Sequence, residues 1–116
     1  MAGHVKNTLD WLVGSGEMYQ KPVAIMSAGT SGGSNALAQM ARTLTWQGAY
    51  VVDLLGVMGP KSKSDDDGNI VDSETINQIA DVATLLNDVM RRPRADMVQI
   101  ARNVATQVGY DPDRIV

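Results

Sequence analysis

The alternation of apolar and polar positions divides the chain into six segments. Val5, Leu9, Leu12 and Val13 recur at helical spacing, which predicts a short helix over residues 3–13, stopped by Gly14-Ser15-Gly16. Val23-Ala24-Ile25-Met26 is a continuous apolar run opened by Pro22 and ending at Ser27, too short for a helix. Such a run reads as a strand buried on both faces, as in parallel sheets. Ala28 to Gly33 makes a turn, and Ser34 is placed to cap the next helix. Leu37, Met40, Ala41 and Leu44 form that helix's buried stripe, and Gly48 ends it. Residues 50–55, Tyr-Val-Val-Asp-Leu-Leu, read as a second strand. The spacing from residue 22 to residue 55 fits a strand–helix–strand unit of about 30 residues, whose strands run parallel.

Residues 56–72 form a polar loop, long enough to be functional or mobile. Ser73 is placed to cap a third helix, with Glu74 favourable in its first turn and Ile76, Ile79, Ala80, Ala83, Leu86 and Met90 as its inward face. Pro93 interrupts, and a last helix spans residues 95–108 with Met97, Val98, Ala101, Val104, Ala105 and Val108 inward. Residues 110–116 read as a polar tail. Two strands, both patterned for burial on two faces, leave the first in want of a neighbour. Either another copy of the chain supplies it or further sequence does.

Composition narrows the chemistry. The 116 residues suit one domain. With no Phe and seven Met, the core must be aliphatic and Met-filled. A net charge of −3 gives no pull toward nucleic acid or anionic membrane. The absence of Cys excludes disulfides, thiolate catalysis and Cys metal sites, and His4 is the single histidine, so no nitrogen or sulfur metal site is expected. No apolar run approaches the roughly 20 residues needed to cross a bilayer. No signal-peptide pattern opens the chain, and a cytoplasmic protein is expected. Asp65, Asp67, Gly68, Ile70 and Glu74 fall on positions of a calcium-binding loop, but Lys63 occupies the first ligand position, so a solvated acidic loop is the better reading. Ser27 and Ser31 lack the Gly-x-Ser-x-Gly setting of a hydrolase nucleophile. Arg91, Arg92, Arg94 and Arg102 read as solvated helix ends.

The turn after the first strand is the best candidate for ligand contact, because open α/β sheets bind ligands at the carboxyl ends of their strands. Ser27, Ala28, Gly29, Thr30, Ser31, Gly32 and Gly33 lie there. Three glycines permit close approach, and free amides with the Thr30, Ser31 and Ser34 hydroxyls suit carbonyl or phosphate oxygens. An ordinary glycine-rich connection accounts for the same residues equally well. The pattern is neither Gly-x-Gly-x-x-Gly nor a P-loop.

A family resemblance separates these readings. Gly3-His4-Val5-Lys6-Asn7-Thr8-Leu9-Asp10-Trp11-Leu12 resembles the G-x-L-K-N-A-x-D-W helix start of the NADPH-dependent FMN reductases, which have a flavodoxin-like fold. Lys21-Pro22-Val23-Ala24-Ile25-Met26-Ser27-Ala28-Gly29 is similar to that family's K-P-V-A-x-x-S strand, and Gly48-Ala49-Tyr50-Val51-Val52 to its last strand. Asp67-Gly68-Asn69-Ile70-Val71-Asp72 resembles its acidic loop before the last helix. The resemblance covers residues 1–90, as the carboxyl half of such a domain, with residues 91–116 as a helical extension and tail. It implies a partial flavodoxin-like α/β fold whose amino-terminal half, with the phosphate loop and the Pro-Glu-Tyr-Asn-type segment, is missing before Met1. It further implies NAD(P)H-dependent hydride transfer through bound FMN to a quinone, azo, flavin or metal acceptor. Flavin and nicotinamide nucleotide would be the ligands, with a homo-oligomer or a chain supplying the missing strands as partner. Residues 27–33 carry over as contacts of the flavin ring, in an incomplete site, and no side chain carries over as catalytic. The alternative is a noncatalytic remnant or interaction subunit that keeps the scaffold without the flavin.

Overall fold

A computed structural model describes residues 3–29 and 32–116. Its elements follow the order α1 (Gly3–Ser15), β1 (Pro22–Gly29), α2 (Ser34–Trp46), β2 (Tyr50–Met58), a 3-10 turn (Pro60–Lys63), α3 (Ser73–Val89), α4 (Arg94–Gln107) and a second 3-10 turn (Pro112–Arg114). The two strands lie parallel, joined through α2, and helices flank them. This is the expected α/β arrangement, compatible with part of a flavodoxin-like fold.

The register explains how both faces are filled. Val23 pairs with Val51, but Ala24 pairs with Asp53, so Val52 is bulged out of the ladder. The extra residue returns Leu54, opposite Ile25, to the face that holds Val51. Leu9 of α1 and Ala41 and Leu44 of α2 pack on that face with Val51, and Val23, Ile25 and Leu54 join them. Tyr50 and Val52 form the opposite cluster with Val89 of α3, Ala101 and Ala105 of α4, and Ile115.

Several elements depart from expectation. β2 runs three residues beyond Leu55, through Gly56, Val57 and Met58. Gly33, not Ser34, is the cap residue of α2 and takes left-handed angles; Ser34 is the first helical residue. Asp72, not Ser73, caps α3: its carboxylate accepts from the Thr75 amide at 2.9 Å and the Thr75 hydroxyl at 2.6 Å. The α3 inward face is also rotated from the expected one. Thr75, Val82 and Val89 are buried, while Ile76, Ala80, Ala83 and Met90 are exposed. The tail is not merely polar, since Ile115 is buried in the second cluster. The α1, α2 and α4 faces match their expected stripes, with the Val13 side chain outside the described residues.

Candidate functional site

β1 delivers Ser27, Ala28 and Gly29 to the carboxyl end of the sheet. Gly32 and Gly33 then lead into α2, with φ of 80° and 65°. Thr30 and Ser31 lie outside the described residues. The Gly29 carbonyl anchors the turn, accepting from the Gly32 amide at 3.2 Å and the Gly59 amide at 3.0 Å. The end of β2 is thereby tied to the turn.

Two glycines are required by contact. A Cβ on Gly33 would run into the Ser27 hydroxyl, besides straining the left-handed backbone. A Cβ on Gly56 would stand 2.6 Å from the Gly32 carbonyl oxygen. Gly56 was therefore a site-shaping residue that read, in sequence, as the start of a loop. Its signal was a glycine inside an otherwise apolar strand, which marks close backbone approach.

The turn aims α2 at the carboxyl ends of both strands. The Leu37 amide makes the first helical bond, to the Gly33 carbonyl at 2.9 Å. Helix geometry leaves the amides of Ser34, Asn35 and Ala36 without intrahelical acceptors. Among the described residues no side chain caps them, and no acidic residue sits in the first turn. The three residues are exposed, and amide donors at the positive end of a helix suit oxygen-bearing groups.

On the other side of the sheet a cavity of about 230 Å³ opens between β1, the end of β2, the first 3-10 turn and α3. Met26, Ala28, Val57, Ile70, Thr75 and Ile79 make it mainly apolar, and Lys63 also lines it. Ligand pockets usually measure roughly 300–1,000 Å³, so the cavity does not enclose a dinucleotide-sized or flavin-sized molecule.

The acidic loop uses its carboxylates internally. Asp65 Oδ1 accepts from the amides of Asp67 and Asn69, at 3.0 and 2.8 Å. The Asn69 amide is the main cause that lowers the Asp65 pKa below the usual carboxylate value. The Thr75 hydroxyl, then its amide, lower that of Asp72, with help from the Lys63 charge. Among the described residues no group of three or more His, Asp and Glu side chains gathers as a metal site. The basic residues beyond Pro93 serve structure. Arg94 Nε donates to the Tyr50 hydroxyl at 2.9 Å, and Arg102 donates twice to the Ile115 carbonyl at 3.0 and 2.8 Å. Among the described residues no helix is long and apolar enough to cross a membrane.

A family model described as NADPH-dependent FMN reductase matches residues 1–63, more than half of the chain and all of the turn. No curated protein and no solved structure matches the chain.

Proposed function

Because the chain belongs to the NADPH-dependent FMN reductase family, whose general chemistry is NAD(P)H-driven flavin reduction, we propose that Ser27, Ala28, Gly29, Thr30, Ser31, Gly32 and Gly33 contact the ring of bound FMN. The observation that carries this reading is the start of α2, capped by no side chain among the described residues and held at the carboxyl ends of both strands by a turn with no room for a Cβ at Gly33. Small residues admit a flat ring close to the backbone. The free amides of Ser34, Asn35 and Ala36 match the carbonyl oxygens of the ring's polar edge. No acidic side chain in the first turn repels electron density on the ring as it is reduced.

When bound, FMN supplies the hydride-accepting centre between the nicotinamide and the final acceptor, for which a quinone, azo compound, free flavin or metal ion is proposed. The chain's own part is to bind and orient. No side chain of this chain is assigned a proton-transfer or nucleophilic role. The residues named hold one side of the ring only, and the phosphate is assigned to none of them.

The test is an FMN titration of the purified chain, followed by flavin fluorescence and then by NAD(P)H oxidation with ferricyanide or a quinone present. A saturable fluorescence change and acceptor-dependent oxidation are expected. A folded chain that leaves FMN fluorescence untouched would sink the proposal and favour the noncatalytic scaffold.

A further inference from the structure

We propose that Met58 is a positioning residue for the ligand turn: acting through Gly32, it sets where the first amides of α2 stand over the strand ends. Met58 is the last residue of β2 and pairs with Gly29, the last of β1. Side chains alternate along a strand, so Leu54, Gly56 and Met58 share a face. Leu54 joins the cluster that holds Ala41, Leu44 and Val51, so this is the face that α2 covers.

Gly32 is buried on that face with φ of 80°. Three groups hold it. Its amide donates to the Gly29 carbonyl at 3.2 Å. Its carbonyl oxygen lies over Gly56, 2.6 Å from where a Cβ on Gly56 would stand. On its Cα side, a Cβ would stand 3.0 Å from Met58 Cγ, and 3.6 and 3.7 Å from the Gly56 carbonyl carbon and Cα. The first two restraints are backbone alone. Of the three atoms nearest that Cβ position, Met58 Cγ alone belongs to a side chain. A substitution at Met58 therefore changes the wall beside Gly32 and leaves the rest of its cradle in place.

This contact does not fill a core. Met58 is 58% exposed, so its burial adds little to global stability. Its effect is local. Glycine populates several backbone regions, and without the wall Gly32 is free to swing into the space that Cγ holds. Gly33 follows directly in the chain, and the amides of Ser34, Asn35 and Ala36 shift with it. Hydrogen bonds weaken steeply as donor angles depart from line, so a small swing of these amides weakens their hold on an acceptor. The consequence for binding rests on the reading that this turn contacts FMN; the consequence for the turn does not.

Amide hydrogen exchange of the whole chain, followed by NMR without flavin, tests it. Met58→Ala is expected to speed exchange of the Gly32 amide about tenfold, with the melting temperature within about 3 °C of the unaltered protein. Met58→Leu keeps a carbon at the Cγ position and is expected to restore slow exchange. Met90→Ala, at a 61% exposed methionine at the end of α3, is expected to leave the Gly32 amide unchanged. In an FMN titration, Met58→Ala should raise the Kd about fivefold and Met58→Leu less than about twofold. Gly32 exchange that is unchanged in Met58→Ala, or equally fast in Met58→Ala and Met58→Leu, would overturn the proposal. So would a Met58→Ala chain that no longer folds, because Met58 would then act through global stability. An unaltered chain that binds no FMN sinks the flavin reading alone, and the exchange rates still decide the role of Met58.

Discussion

At the scale of single residues, the turn is built on a contact between Ser27 and Gly33 that leaves no space for a methyl group. Gly33→Ala is expected to cost at least about 1 kcal/mol, from left-handed strain plus the collision. Ser27→Ala removes the hydroxyl that the new methyl would meet. In that background Gly33→Ala should cost less, leaving mostly the backbone part, and urea unfolding of all four variants gives the coupling. Equal costs in both backgrounds would show that the contact does not shape the turn. Asp72 gives a pH-dependent counterpart. Its folded pKa is depressed by the Thr75 hydroxyl and amide and by Lys63, so its stabilisation is present above the ordinary Asp value of about 3.9 and is lost as pH falls through the folded value. Asp72→Asn keeps a capping oxygen but cannot titrate. Its melting temperature should therefore fall less steeply than that of the unaltered protein as the pH drops below about 4. Parallel curves would refute the assignment.

Among the elements, α3 shows what a sequence can and cannot disclose. Ile76, Ala80, Ala83 and Met90 recur at helical spacing, and so do Thr75, Ile79, Val82, Leu86 and Val89. Periodicity alone ranks the first set no lower, since its members are apolar and Thr75 is not. The choice is made by capping: the Asp72 carboxylate takes both the Thr75 amide and its hydroxyl, which lets a polar residue lie 1% exposed on the inner face. The α2 stripe was readable because only one apolar face exists there. The extension of β2 through Gly56 was not, because glycine marks both a strand's end and a close approach, and only the position of the Gly32 carbonyl decides between them. The glycine-rich turn at the end of β1 was legible in Ser27, Gly32 and Gly33, whereas the cavity under Met26 and Ala28 depends on where α3 lands. The rotated face has a measurable consequence. Val89→Ala, at a fully buried position, is expected to cost about 2 kcal/mol, and Met90→Ala, its exposed neighbour, under about 0.5 kcal/mol. The reverse order in denaturant unfolding would restore the face containing Met90.

For the whole molecule, the decisive relation is between residues 91–116 and the strand–helix–strand unit. On sequence this segment stands outside the family-like stretch as an extension. In the fold, Val104 enters one core cluster while Ala101, Ala105 and Ile115 enter the other. The last residues are pinned by polar contacts as well: the Tyr50 hydroxyl donates to the Val116 oxygen at 2.8 Å, and Arg94 donates to it at 3.0 Å. Arg42 of α2 reaches across to the Val108 carbonyl at 2.9 Å, joining the extension to the other layer. A two-stranded sheet is marginal unless helices cover it, so the buried run Tyr50–Val51–Val52 depends on α4 for its seal. A chain cut after Met90 is thus expected to lose cooperative thermal unfolding and to expose the outer edge of β2. That edge carries Tyr-Val-Val, a run of strong strand formers, so the shortened chain should also bind thioflavin and sediment as large aggregates. If residues 1–90 instead unfold cooperatively and remain dispersed, the extension is a dispensable attachment and the sheet draws its stability from α1, α2 and α3 alone.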